Sequence, residues 1–120
     1  MRAAAQAYGN VAKQTANPRE LEADLLLKAA AQLQAIRDHW EQKKSDLDDA
    51  LLYNRKLWSI FLTSVTSTEN PLPAAIRQNV ANLGIFVMGQ TMAMMNDPQP
   101  DQLGALIKVN REIAAGLLGR

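Results

Sequence analysis

The sequence predicts an all-α protein, a compact bundle of about five helices joined by short connections. Alanine, leucine, glutamine and methionine are plentiful, whereas valine, isoleucine and aromatic residues are few, and that composition favours helices over strands. Apolar residues recur three and four positions apart in successive segments, which polar or proline-containing breaks separate. A chain of 120 residues is expected to form one domain, 1–120, because this length can bury a core.

The first predicted helix covers residues 3–14, with Ala4, Tyr8 and Val11 on one face. Gly9 weakens it by roughly 1 kcal/mol relative to alanine. A helix this short is marginal in isolation, so it needs a docking surface. That surface could belong to the same domain or to a partner.

The second predicted helix starts at Asn17-Pro18-Arg19-Glu20 and ends near Gln42. Asn17 is a suitable N-cap, Pro18 suits the first helical position, and Glu20 completes a capping box. The lone histidine, His39, has no candidate catalytic or metal-binding neighbour in the sequence, so we expect it on the helix surface. The apolar stripe of this helix comprises Leu26, Ala29, Leu33, Ile36 and Trp40.

The third predicted helix follows a second capping box, Ser45-Asp46-Leu47-Asp48, and ends near Ser64. Helix capping also explains its clustered aspartates, because the glycine and distal glutamate of a calcium loop are missing. Its stripe comprises Leu47, Leu51, Trp58, Phe61 and Val65, with the polar Asn54 on the same face.

Several residues of this third helix are expected to have structural roles. Trp58 and Phe61 should be buried against the second and fourth helices. Asn54 and Arg55 should donate hydrogen bonds to the backbone of the break at Thr66–Pro73, since a polar residue within an apolar stripe usually finds a partner.

The fourth predicted helix runs from about Ala74 to Met95, after Pro71 and Pro73, which suit a turn or a first helical residue. It is apolar on two sides, so it is either central in the bundle or bears an exposed groove. One side carries Ile76, Val80, Leu83 and Val87, and the other carries Ile85, Met88, Met92 and Met95.

Charge is scarce around this helix. From Leu57 to Asn96 the only charged residues are Glu69 and Arg77, and so sparsely charged a stretch must be largely covered. The cover is either the rest of the chain or a partner.

The last predicted helix extends from about Asp101 to Leu118, after the break Asn96–Asp101. Its apolar stripe, at heptad spacing, comprises Leu103, Leu106, Asn110, Ile113 and Leu117.

No catalytic pattern is found. Cysteine is absent, no His-Glu-x-x-His or other metal spacing occurs, and no glycine-rich loop ends in the Lys-Ser/Thr of a phosphate-binding motif. We therefore expect no enzyme activity, no cofactor, no metal site and no small-molecule substrate.

The charge balance argues against polyanionic partners. The net charge of +1 offers no electrostatic attraction to nucleic acid or anionic membranes, and the basic pairs Lys43-Lys44 and Arg55-Lys56 lie close to acidic residues. Gln78–Asn96 is long enough to span a bilayer but contains five Asn and Gln residues. With no signal peptide visible, the sequence is expected to be that of a soluble, cytoplasmic protein.

The remaining hypothesis is an interaction module. Met88, Met92 and Met95 lie together near the end of the fourth helix, and methionine suits surfaces that accept varied apolar partners. With Leu106 and Ile113 they could line a groove for an amphipathic helix of a partner. Alternatively these methionines fill the core of the bundle. A further candidate for the partner surface is the first helix around Tyr8 and Val11.

The sequence resembles the FlaF family, flagellar biosynthesis regulators of alphaproteobacteria, over almost its whole length. Ala7-Tyr8 and Asn17-Pro18-Arg19-Glu20 match near the N-terminus. The other matching residues are Asn54-Arg55, Leu57-Trp58, Phe61, Asn70-x-Leu72-Pro73, Arg77-x-Asn79 and Asn82-Leu83-Gly84-x-Phe86.

The resemblance implies a role in flagellum assembly. FlaF-like proteins are expected to bind flagellin as a chaperone does, and to control its production and export alongside the regulator FlbT. A post-transcriptional regulator that acts on flagellin mRNA, directly or through FlbT, is the alternative function.

Overall fold

The computed structural model describes residues 18–119, and within this range the chain is helical, with no β-strand. Its four long helices are α1 (Pro18–Asp38), α2 (Leu47–Thr66), α3 (Ala74–Asn96) and α4 (Leu103–Leu117). The all-α prediction is confirmed for this part of the chain. The first predicted helix, residues 3–14 with Tyr8, lies outside the described residues, as does the predicted N-cap Asn17.

The connection between α1 and α2 differs from the prediction. The chain breaks at His39, forms one helical turn over Trp40–Lys43, and passes through a 3₁₀ turn at Lys44–Asp46. The capping box predicted at Ser45 is wrong, because Asp46 precedes α2 and makes no side-chain cap. The 3₁₀ turn replaces it, since the Lys44 carbonyl already accepts the Leu47 N–H.

The helices pack as two antiparallel pairs. α1 packs most extensively along α4, and α2 along α3, while α1 and α2 join the pairs and α3 has little contact with α4. The Arg37 guanidinium near the end of α1 lies beside Gly104 near the start of α4, and Leu62 of α2 lies against Gly84 of α3. The first residues of α1 and α3 therefore lie at the same end of the bundle as the last residues of α2 and α4.

The core is built from the apolar stripes of the helices. The α1 stripe is buried from Leu26 to Ile36, and the α2 stripe is buried throughout. In α3 the buried positions are Val80, Gly84, Val87, Thr91 and Met94. Trp58 and Phe61 are buried as predicted, in an edge-to-face contact with ring centroids 5.6 Å apart.

A buried polar layer crosses the middle of the core. Trp58 Nε1 donates a hydrogen bond to Asn110 Oδ1 at 2.8 Å, and Asn110 Nδ2 donates to Asn54 Oδ1 at 2.7 Å. Asn110 Nδ2 also lies 3.4 Å from the Leu26 carbonyl oxygen. One amide thus links α1, α2 and α4. Asn54 Nδ2 is buried without a hydrogen-bond partner.

The loop between α2 and α3 is held by a residue other than those predicted. Arg77 Nε donates to the Leu72 carbonyl at 3.2 Å, and Arg77 Nη1 donates to the Ser67 carbonyl at 3.1 Å. The prediction that Asn54 and Arg55 hold this loop is wrong: Asn54 faces Asn110, and Arg55 is exposed. Arg77 is closer in sequence to those carbonyls, and its planar guanidinium carries several donors.

Pro73 occupies the position before α3. Its carbonyl accepts the Arg77 N–H at 3.0 Å, and its φ of −55° and ψ of 146° direct the chain into the helix. A proline suits this position because the first N–H groups of a helix need no intrahelical acceptor.

Trp58→Ala should destabilise the protein by roughly 3–5 kcal/mol, because it removes a completely buried aromatic side chain and leaves a cavity. Urea unfolding followed by circular dichroism measures the loss. A mutant that melts within a degree or two of the wild type would contradict the position of Trp58 in the core.

Asn110→Leu should destabilise the protein more than Asn54→Leu. Asn110→Leu leaves the Trp58 N–H and the Asn54 side-chain oxygen buried without a hydrogen-bond partner. Each such group lowers the free energy of unfolding by roughly 1–3 kcal/mol. Asn54→Leu removes a donor that is already unpartnered and one acceptor of Asn110 Nδ2, which keeps the Leu26 carbonyl. Matched urea titrations of the two variants test the order, and the reverse order would contradict the arrangement of the polar layer.

Gly84→Ala should lower the melting temperature, whereas Gly89→Ala should raise it. A Cβ at Gly84 would overlap the Leu62 side chain, while the space at Gly89 is open. Overpacking costs about 1–3 kcal/mol, and alanine in place of glycine favours an exposed helix by up to about 1 kcal/mol. Equal melting temperatures for the two variants would show that Leu62 moves aside freely.

Candidate functional site

One side of α3 exposes a row of large apolar side chains to solvent. Ile85 is 70% exposed, Met92 67% and Met95 37%, and Met88 between them is half-buried. The spacing of 85, 88, 92 and 95 places them along one line of the helix, called here the outer stripe. Because Val80, Val87 and Met94 face the core, α3 is apolar on two sides.

The exposed surface of α3 carries no charge. Its helix has a single charged residue, Arg77, which is half-buried and bonded to loop carbonyls. The exposed residues of α1, α2 and α4, in contrast, include Lys28, Asp48, Lys56, Arg111 and Glu112. Charge depletion together with methionine and aromatic residues is typical of the core of a protein–protein interface. The exposed residues of α3 are Ala74, Ala75, Ile76, Gln78, Asn79, Asn82, Ile85, Phe86, Gly89, Met92, Ala93, Met95 and Asn96.

Toward the start of α3, the line of the outer stripe leads into a crevice between α2 and α3. Arg77 and Ala81 precede the stripe at helical spacing, and both line this crevice with Val65 and Thr66 of α2.

The structure corrects the part of the predicted groove assigned to α4. Leu106 is completely buried, so the expectation that it contributes partly exposed surface is wrong. Its spacing from Leu103 and Asn110 turns it toward the core. Ile113 is half-buried and packs against the core. The structure thus brings Met88, Met92 and Met95 together without Leu106, while Tyr8 lies outside the described residues.

Phe86 is an exposed residue that sequence reasoning did not place at the site. It is 44% exposed and follows Ile85 directly, but it points to another side of α3 than the outer stripe. A search for charge-free solvent-facing positions along α3 could have identified it.

The titratable groups with shifted pKa lie on α1 and α2. Burial raises the pKa of the Glu22 carboxyl, although nearby Arg19 acts in the opposite direction, and burial raises the pKa of the Tyr53 hydroxyl. Tyr53 faces α1 and lines a groove with Gln32 and Ile36. Neither group belongs to the outer stripe, so what this stripe can contribute is apolar contact.

Among residues 18–119, no cluster of three histidine, cysteine, aspartate or glutamate side chains could hold a metal ion. The helices described there are not both long and apolar enough to cross a bilayer.

Comparison with known proteins identifies the family of the chain. The chain matches no curated protein and no solved structure. The family model described as flagellar protein FlaF, however, matches residues 4–117, nearly the whole sequence. This match spans all four helices and the outer stripe on α3. The chain therefore belongs to the FlaF family of flagellar proteins.

Proposed function

We propose that this protein is a flagellum biosynthesis factor that binds flagellin as a secretion chaperone and regulator. Membership of the FlaF family supports a flagellar role. The observation that carries the binding proposal is the outer stripe, an exposed apolar line on a helix whose solvent-facing residues are all uncharged.

An amphipathic helix is the partner that fits this surface. Ile85, Met88, Met92 and Met95 repeat at the spacing with which two helices contact each other, and helix-in-groove binding uses such anchors. Methionine side chains adapt to differently shaped apolar partners. Gly89, beside Ile85 and Met92, leaves open space where a partner helix can approach closely.

The proposed mechanism is the masking of the amphipathic terminal helices of flagellin. Their apolar faces pair with one another in the filament, so covering them before export prevents premature assembly and couples flagellin supply to secretion. The protein acts through binding alone, without catalysis or a cofactor, and FlbT is a proposed second partner.

Met92→Asp should weaken flagellin binding by more than about tenfold, because the new carboxylate must lose water in the complex. The fold should change little, since Met92 is mostly exposed. Ala93→Asp is the matched control: it adds the same charge at an adjacent exposed position off the stripe. Titration of purified flagellin against each variant, with circular dichroism melting of each, measures binding and folding separately.

A folded Met92→Asp variant that binds flagellin normally would exclude the outer stripe as the binding surface. If instead this variant unfolds, Met92 belongs to the core. A pull-down of flagellin with and without RNase separates the chaperone from a regulator of flagellin mRNA, because only the latter loses its partner when RNA is destroyed.

A further inference from the structure

The contact between α2 and α3 shows which side of each helix borders the other. Leu62 of α2 lies against Gly84 of α3, and the crevice farther along joins later residues of α2 to earlier residues of α3. Met88 and Met95 follow Gly84 by four and eleven residues, so they lie on the side of α3 that borders α2. Arg55 precedes Leu62 by seven residues, about two turns, and therefore lies on the side of α2 that borders α3.

The antiparallel register brings two further residues of α2 beside the outer stripe. Counted from the same contact, a step toward the start of α2 corresponds to an equal step toward the end of α3. Arg55 therefore lies at a level between Met88 and Met92, and Leu52 at a level between Met92 and Met95. Leu52 and Arg55 form one wall and the outer stripe forms the other wall of what is called here the α2–α3 groove.

The α2 wall of this groove is open to solvent. Leu52 is 46% exposed, and Arg55 and Ser59 are exposed as well. Ile60 is also exposed on α2, but it points about 160° away from Leu62 around the helix axis, away from α3. Leu52 is thus the large apolar residue of α2 that extends the exposed apolar surface of α3.

The charged residues along both walls are all basic. Between Asp49 and Glu69 the sequence has only Arg55 and Lys56, and α3 has only Arg77. Arg55 and Lys56 are exposed and form no ion pair with another residue of the described range. A partner in the groove therefore meets positive charge beside apolar contacts, and the complementary groups are carboxylates that flank its own apolar face.

We propose that the α2–α3 groove binds an amphipathic helix of a partner protein that carries acidic residues beside its apolar face. The apolar side chains of this helix contact the outer stripe and Leu52, and one of its carboxylates pairs with Arg55. From Ala81 to Met95 the groove extends about 21 Å, which accommodates about four helical turns. The inference rests on the proposed function, because it specifies the charge and the second contact surface of the helix that the outer stripe binds.

Charge reversal tests the electrostatic contact. Arg55→Glu should weaken flagellin binding by about fivefold or more at low salt, because an attraction becomes a repulsion. Added salt should reduce the difference from the wild type, since exposed charges are screened. Arg111→Glu is the matched control: it makes the same change at an exposed position of α4 and should bind as the wild type does. Equal affinities of the two variants would overturn the proposal.

Charge insertion tests the apolar contact of α2. Leu52→Asp should weaken flagellin binding by about tenfold or more, whereas Ile60→Asp, on the opposite side of the same helix, should not. Circular dichroism melting shows whether each variant folds, and if Leu52→Asp unfolds, the comparison of Arg55→Glu with Arg111→Glu decides. If Leu52→Asp folds and binds normally while Met92→Asp does not bind, the outer stripe remains the flagellin site, but the α2 wall is excluded.

Two synthetic peptides test the charge preference without flagellin. Each is an amphipathic helix of about 14 residues with the same apolar face, and the flanking residues are glutamate in one and lysine in the other. The glutamate peptide should bind the wild-type protein about fivefold or more tightly than the lysine peptide, and Arg55→Glu should abolish this preference. Equal binding of both peptides would overturn the inference. Preferential binding of the glutamate peptide together with no binding of flagellin would support the inference and contradict the proposed function.

Discussion

Asn110 makes the buried side-chain hydrogen bonds that connect different helices of the described bundle. This buried amide of α4 accepts from Trp58 and donates to Asn54, both on α2, and approaches the Leu26 carbonyl of α1, so it joins three helices at one level. Apolar stripes alone would tolerate sliding of one helix along another by a turn. Such a shift would leave buried donors and acceptors without hydrogen-bond partners in a low-dielectric core. The free-energy cost of these unpaired groups favours one register of the helices. Asn54 Nδ2, in the same polar layer, has no hydrogen-bond partner within the protein.

The position of α3 follows from this arrangement. The polar layer joins α1, α2 and α4, whereas α3 is attached mainly along α2, with Leu62 against Gly84 and Arg77 holding the connecting loop. A helix at the periphery of a bundle needs one apolar face. α3 has a second apolar face, which carries no charged residue and is not covered by the other described helices. This surplus is the physical link between the fold and the proposed binding of a partner helix.

Much of the helical architecture could be predicted because apolar spacing, prolines and polar breaks are local signals. The positions of α1 to α4 and the burial of Trp58 and Phe61 agree with those signals. The predicted partners of Asn54 and Arg55 were wrong, because the spacing that places Asn54 in the stripe does not say which side chain from a distant helix meets it. Asn110 is 56 residues away. The capping box at Ser45 was also wrong, since a 3₁₀ turn can supply the same carbonyl acceptors.

Some features of the candidate site could likewise be predicted from the sequence, and others required the tertiary structure. The sequence by itself determined the helical class, the two apolar sides of α3 and the absence of charge along it, because residue type and helical period depend on no distant contact. Only the tertiary structure decided which of the two sides is buried, that Leu106 belongs to the core, and that Met92 lies in solvent. Burial depends on which neighbouring helices surround a face, and α3 has a close neighbour in α2 but little contact with α4.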